Sequence, residues 1–440
     1  MDTRLSKLIL ILLLGLGSFS AITVLADDTC ITDGLTVCFD VNRNHYKTEA
    51  HAHLVMVVPD EAYGQAVEDF WDWYHPELAG RVSTVIASEA TGNEDVFYLS
   101  QNQAAQLHSS LYPMHDVLAK NIVLKQAGVI NAADLRYLPV SAEGFAMIVN
   151  TTRLELAGID ITDADDDGRI DSLASFEQIL ALAPVWETMN VNAFPLALNE
   201  PYALYPFLTA GGFELFTTLD ATRPGFDDPS VRSGLRLIEA LSTVNWNHSE
   251  TNGADTYTWR YEDALVNDDF GISLVGSWME TQGYDHEHAT DWRIMPFPTF
   301  EGQALRPMIR TSGLAINAAT YYPSAAHELI RILKSVKGLQ VLIDTTDRIP
   351  LTDVKTLSYL NFPSAHTREF ALAFQEAISE PLIAFKANPT ILAMEVYAHM
   401  DVSGPIADLW NGTIGAAEAQ TRLILSAQST MESLLSPQNP

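Results

Sequence analysis

The sequence predicts an α/β fold divided into two lobes, and three observations carry that prediction. The first is length, because 440 residues suffice for two separate cores. The second is the order of the early apolar runs. His53 to Val58 (HLVMVV) reads as a strand stopped by Pro59. Asp60 then opens a helix with Tyr63, Val67, Phe70, Trp71 and Tyr74 on one face, and Val82 to Ile86 and Val96 to Leu99 read as further strands. This β-α-β order implies a parallel sheet flanked by helices. The third is the stretch from Ala264 to Thr320, in which a strand at Phe270–Val275 ends in a Gly276–Trp278 turn. Trp292–Phe297 and Ser312–Asn317 then read as two strands about a proline turn. Such a pattern suits a chain crossing between lobes.

The remaining elements follow in order. Leu111–Val117 and Ile122–Ile130 read as helix and loop, Phe145–Val149 as a strand after Leu138-Pro139-Val140, and Val191–Leu198 as a strand leading into a helix at Leu204–Ala210. Pro229 opens a helix that carries Val231, Leu235, Ile238 and Leu241 inwards to Val244. Pro323-Ser324 opens another, with Leu329, Ile332, Leu333 and Val336 on one face and Gly338 near its end. Two or three further helices are expected in the C-terminal third, broken at Pro381, Pro389 and Gly404-Pro405. No repeat or low-complexity segment interrupts the pattern.

Composition narrows the function. Hydrophobic content of 47% and aromatic content of 9% suit a folded globular chain. The net charge of −31 argues against nucleic acid and anionic membranes, which need basic patches, and disfavours a highly anionic ligand. Residues 1–26 read as a cleaved signal peptide: Arg4 and Lys7 precede the apolar run Leu8–Leu14, and Val24 and Ala26 supply small residues at the cleavage positions. The two cysteines, Cys30 and Cys38, predict one disulfide that fastens an N-terminal extension. Thr29 and Asp28 before Cys30 argue against a lipid anchor, so a periplasmic location is expected.

Five side chains fall just beyond predicted strand ends, where open α/β sheets bind ligands: Tyr98, Glu143, Glu200, Tyr202 and Trp278. Aromatic faces match the C–H surfaces of a neutral sugar, and carboxylates accept several hydrogen bonds from its hydroxyls. Singly, such residues are more often core aromatics or solvated glutamates.

The order of the segments "A…G.W", "PFP…G" and "GLAIN" between Ala264 and Asn317 resembles the extracytoplasmic sugar-binding proteins of ABC transporters, the maltose/maltodextrin-binding family. The resemblance spans roughly residues 50 to 430. It implies a type II periplasmic-binding-protein fold, each lobe a mainly parallel sheet flanked by helices, with the ligand cleft between the lobes. The expected division is an extension at 27–50, a first lobe of 51–142 with 312–350, and a second of 143–311 with 351–436. By this resemblance "NEPY…P….GG" (Glu200, Tyr202) is the hydroxyl-binding and stacking loop, Glu143 lies at the first interlobe crossing, and Trp278 is the main stacking platform. Tyr98 stands where the family carries a stacking tryptophan. Asp60-Glu61 replaces an Asp-Lys pair, Gln101-Asn102 replaces an Asp-Arg pair, and the aromatic of a late helix falls on Val396 or Tyr397. The implied function is capture of a maltodextrin-like sugar by a monomer and its delivery to a membrane permease by hinge closure, with no chemistry and no required cofactor. A secreted glycosidase using Glu143 and Glu200 and a sugar-sensing receptor subunit are the competing readings.

One segment departs from that frame. Asp163, Asp165, Asp167, Gly168 and Asp171 in DADDDGRID place alternating oxygen ligands around a sixth-position glycine, as a structural calcium loop requires. Arg169 holds the seventh position, the twelfth is Ala174, and Asp171 or Glu177 is expected to complete the shell; a solvated acidic loop is the alternative. His286-Glu287-His288 and His51-Ala52-His53 lack a third ligand at fitting spacing and read as loop histidines.

Overall fold

A computed structural model describes residues 30–31, 37–119, 135–189, 194, 196–216, 224–244, 261–379 and 394–436. The signal peptide, Ile122–Ile130, most of the strand expected before Leu198, and the breaks at Pro381 and Pro389 lie outside them. β-Branched and aromatic runs form the strands. Short strands β1 (Cys30–Ile31), β2 (Phe39–Asp40) and β3 (His45–Tyr46) make an antiparallel N-terminal sheet. Strands β4 (Leu54–Val58), β5 (Val82–Ile86) and β6 (Val96–Ser100) follow, with the Glu61–Tyr74 helix between β4 and β5. Asp60 caps that helix, its carboxylate accepting from the Tyr63 amide at 2.9 Å.

β7 (Tyr137–Asn150) is a single strand of 14 residues, longer than the Phe145–Val149 run that periodicity picks out. β8 (Ile272–Gly276) and β9 (Trp292–Met295) pair with its C-terminal half. β10 (Thr299–Phe300) and β11 (Gln303–Ala304) form a small hairpin. β12 (Met308–Ile316) then runs back along the first half of β7, joined by β13 (Ile349–Pro350) and β14 (Ile378–Ser379). β4 pairs in parallel with β5 and β6, as expected. Elsewhere the sheet is mixed, where a mainly parallel one was expected: β14 runs parallel to β12, but β8 and β9 both run antiparallel to β7, and β12 runs antiparallel to both β6 and β7.

Pro139 is tolerated inside β7 because the register slips between Ser312 and Gly313, freeing one residue of the ladder. Gly313 makes the slip possible, since a Cβ there would stand 2.1 Å from the Leu138 carbonyl oxygen.

Two apolar cores flank this crossing. One packs β4, β6 and β12 against the helices Glu61–Tyr74, Pro323–Leu333 and Val336–Thr345, with Val67, Trp71, Leu314 and Ile330 fully buried. The other gathers the helices Pro201–Leu208, Val231–Val244, Ser403–Trp410 and Ala416–Leu435 around Phe207, Leu235, Tyr397 and Trp410. Burying each such side chain contributes roughly 1.5–3 kcal/mol. Phe370 and Phe374, placed by sequence in the second lobe, pack into the first core with the Ala365–Ala373 helix.

Several helix boundaries differ from expectation: the Leu111–Val117 run is helical only from Asp116, and the helices expected from Leu204 and Pro229 start at Pro201 and Val231. The helix opened by Pro323 ends at Leu333, and Ser335 caps a new one by accepting from the Gly338 amide at 3.2 Å, so Val336 and Gly338 belong to the second. Gly404-Pro405 does not break a helix but sits in the first turn of Ser403–Trp410, where an orphan amide makes proline harmless.

Candidate ligand-binding site

The two central strands are largely buried, and each has one exposed residue. In β7 the sole exposed residue is Glu143, and in β12 it is Arg310. These two are direct cross-strand partners, so their side chains leave the sheet on the same face. A carboxylate and a guanidinium therefore emerge together where the strands pass from one core to the other.

A cavity of about 270 Å³ opens at that point. Glu143, Glu200, Tyr202, Trp278, Met308 and Arg310 line it. Glu200 holds the N-cap position of the Pro201–Leu208 helix, with no hydrogen bond from its side chain to the capped turn. Tyr202 is half-buried, and the Arg310 guanidinium lies over its ring at 4.6 Å from the centroid, a cation–π contact. Trp278, beyond β8, is 56% exposed and meets the ring of Phe145 edge-on at 5.0 Å and 74°. The cavity, which Phe145 also lines, thus combines three aromatic side chains, two carboxylates that accept hydrogen bonds and one guanidinium that donates them.

Four residues singled out from sequence converge here: Glu143, Glu200, Tyr202 and Trp278. The others do not line this cavity. Asp60 serves as a helix cap and Glu61 is exposed on the first turn. Tyr98 is 6% exposed; its hydroxyl pairs with Ser141 Oγ at 2.8 Å, its ring lies 5.8 Å from Tyr63, and the Arg348 guanidinium stands over it at 5.1 Å. Burial pushes its phenol pKa up. Gln101 is buried, accepting from the Thr311 amide at 2.9 Å and hydroxyl at 3.0 Å, while Asn102 is exposed. Val396 and Tyr397 are both fully buried, and the Tyr397 hydroxyl donates to the Pro201 carbonyl at 2.6 Å. Tyr397 thereby steadies the helix that carries Tyr202.

Sequence reasoning missed Arg310. The available signal was a single charged residue inside the otherwise apolar and neutral run MIRTSGLAI.

In the Asp-rich loop, carboxylate oxygens of Asp163, Asp165 and Asp171 lie within 4.8 Å of one another. Gly168 adopts φ +88°, the left-handed conformation the sixth position demands. Asp163 also pairs with Arg293 of β9. Of the other residues expected in the shell, Arg169 at the seventh position would offer its backbone carbonyl, and its side chain and that of Glu177 have protein partners. The Arg169 guanidinium bonds Asp167 at 3.0 Å, Glu376 at 2.6 Å and the Phe297 carbonyl at 3.1 Å. Glu177 accepts from the Glu301 amide at 2.7 Å.

No helix among the described residues is long and apolar enough to cross a membrane. Residues 72–339 match the family model described as bacterial extracellular solute-binding protein. That match covers more than half of the chain and contains the cavity and both central strands, so the chain belongs to the bacterial extracellular solute-binding proteins.

Proposed function

We propose that this chain captures a neutral sugar or oligosaccharide of the maltodextrin kind in the Glu143–Trp278 cavity and hands it to a membrane permease. The family supplies the coarser part of that reading, a substrate-binding component of an ABC transporter whose members bind and do not catalyse. The observation that carries the finer part is the lone emergence of Glu143 from a buried strand into a cavity that also holds Glu200, Tyr202 and the exposed Trp278 indole. Flat apolar faces beside hydroxyl acceptors suit a polyol ring. Arg310 offsets one of the two carboxylates, which favours a neutral ligand over a cation. The cavity volume of about 270 Å³ lies just under the ~300–1,000 Å³ of enclosing pockets, so it holds part of an oligosaccharide and the rest extends along the cleft.

Calorimetric titration against a panel of neutral oligosaccharides, with product analysis of the same mixtures, tests this reading. Saturable binding of an intact sugar is expected, and Trp278→Ala should weaken it by about 1–3 kcal/mol through lost stacking and burial. Cleavage of the sugar would establish the glycosidase instead, and silence across the panel would remove sugars as the ligand class.

The same reading includes a cleaved leader, a periplasmic monomer without a lipid anchor, a first lobe of 51–142 with 312–350 and a second of 143–311 with 351–436, and two local fastenings. The Cys30–Cys38 disulfide is supported by the pairing of β1 with β2, which brings the two segments side by side, and by the lack of a free cysteine among the described residues. A structural calcium ion is supported by the clustered carboxylates of Asp163, Asp165 and Asp171, although binding must loosen the Arg293 pair. Chelation should lower the melting temperature, with recovery in calcium but not magnesium, and thiol titration of the denatured protein should find none. An unmoved melt or two reactive thiols would remove the respective fastening.

A further inference from the structure

We propose that Gly276 is the positioning residue of the Trp278 platform, a seat that only glycine provides. The proposal rests on Trp278 being a ligand-contacting surface. Gly276 closes β8 and stands directly opposite Phe145 of β7. A glycine there leaves a slot beside the Phe145 ring, and the Trp278 indole fills it. A Cβ built on Gly276 would lie 2.5 Å from Cε2 and Cζ2 of Trp278 and 2.9 Å from its Cδ2, far inside the ~3.5–4.0 Å of carbon–carbon contact.

The turn holds the ring in this position. The Ser277 amide donates to the Gly144 carbonyl at 3.0 Å, the Met279 amide to the Gly276 carbonyl at 2.9 Å, and the Gly276 amide to Met279 Sδ at 3.2 Å. The indole is packed against glycine and phenylalanine, while Trp278 remains 56% exposed and lines the cavity. Gly276 is not one of the residues with positive φ, so its backbone tolerates alanine. What excludes a side chain is the indole, which an added methyl group must lift off its seat. The seat immobilises the platform before ligand arrives and so removes an ordering cost from binding.

Two measurements test this. In the wild-type protein the Gly276 α-proton resonances should be shifted strongly upfield by the indole ring current, and Trp278→Ala should abolish the shift. Maltotriose is then titrated into the wild type, Gly276→Ala, Trp278→Ala and the double variant. Gly276→Ala should weaken binding about three- to tenfold, with no further loss in the Trp278→Ala background. Unshifted α-protons, or independent losses that add in the double variant, would overturn the seat. Unchanged affinity in Trp278→Ala alone would instead overturn the platform reading, and failure of the wild type to bind maltotriose would count against the sugar class, while the ring-current shift still decides the seat.

Discussion

Three side chains of the cavity, Glu200, Tyr202 and Trp278, were legible in the sequence because each sits just past a strand or on a helix start; Glu143, which lies inside β7 and not beyond a strand end, was legible from segments whose order resembles a sugar-binding family. Arg310 was not, because a charged residue inside an apolar strand gives no hint of which way it faces until its partner is known. Opposite Glu143 it becomes half of a cross-strand pair, and over Tyr202 it covers one face of the ring. A ligand that stacks on Tyr202 would therefore have to use its remaining face or displace the guanidinium. Arg310→Met should weaken sugar binding, since it removes a donor from the cavity and a cation–π contact of ~0.5–1 kcal/mol that orients Tyr202. A tighter complex in calorimetry would show that Arg310 competes with the ligand for that ring. Tyr98 and Tyr397 do not line the cavity for a related reason: a tyrosine in a strand or on a late helix packs equally well into a core once its hydroxyl finds Ser141 or the Pro201 carbonyl.

At the scale of elements, the N-terminal sheet is fastened by more than the expected disulfide. Glu49 accepts from the Ser324 and Ala325 amides at 2.8 and 3.0 Å, capping the Pro323–Leu333 helix. Inside that helix Glu328 is fully buried and accepts from the Tyr46 amide at 2.9 Å, His75 Nε2 at 3.0 Å and Arg331. Burial alone would raise its pKa, but the bonds from Arg331 and His75 outweigh that and hold it below the ordinary glutamate value. A depressed carboxylate stabilises the fold above ~4.3 and loses that contribution as pH falls through the folded value. The neighbouring His327 is pushed down to about 4 by burial, so its contribution is present above ~6.5 and fades between there and about 4. Denaturation midpoints from pH 7 to 3 should thus fall in two stages. His327→Gln should flatten the upper stage. Glu328→Gln should flatten the lower one and cost roughly 3–5 kcal/mol at neutral pH by stranding Arg331. A single stage unaffected by either substitution would sink the assignment. None of this network was visible in the sequence, where His75, His327 and Glu328 belong to unrelated segments.

Over the whole molecule, the α/β class and the existence of a crossing were legible from the run order, because β-α-β periodicity is local. The antiparallel return of β12 along β7 was not, since it depends on pairing between residues 137–150 and 308–316. That pairing governs how the lobes can move. Two strands, with a register slip at Gly313, carry the chain between the cores, and the cavity lies where they surface. Its lining comes from the crossing itself and the second core, while Tyr98, Gln101 and Asp60 of the first lobe do not reach it. A site lined from one side in this way is expected to gain contacts from the first core if the two cores close on the ligand. A ligand moves such an equilibrium only through its preference for the closed form, and a change from 1:99 to 99:1 requires about a 10⁴-fold preference. X-ray scattering should therefore show a smaller radius of gyration at saturating sugar, and Trp278→Ala should need more sugar for the same contraction. A radius that stays constant while calorimetry reports full occupancy would mean that the described arrangement is already the closed one, and that first-lobe residues take no part in holding the ligand.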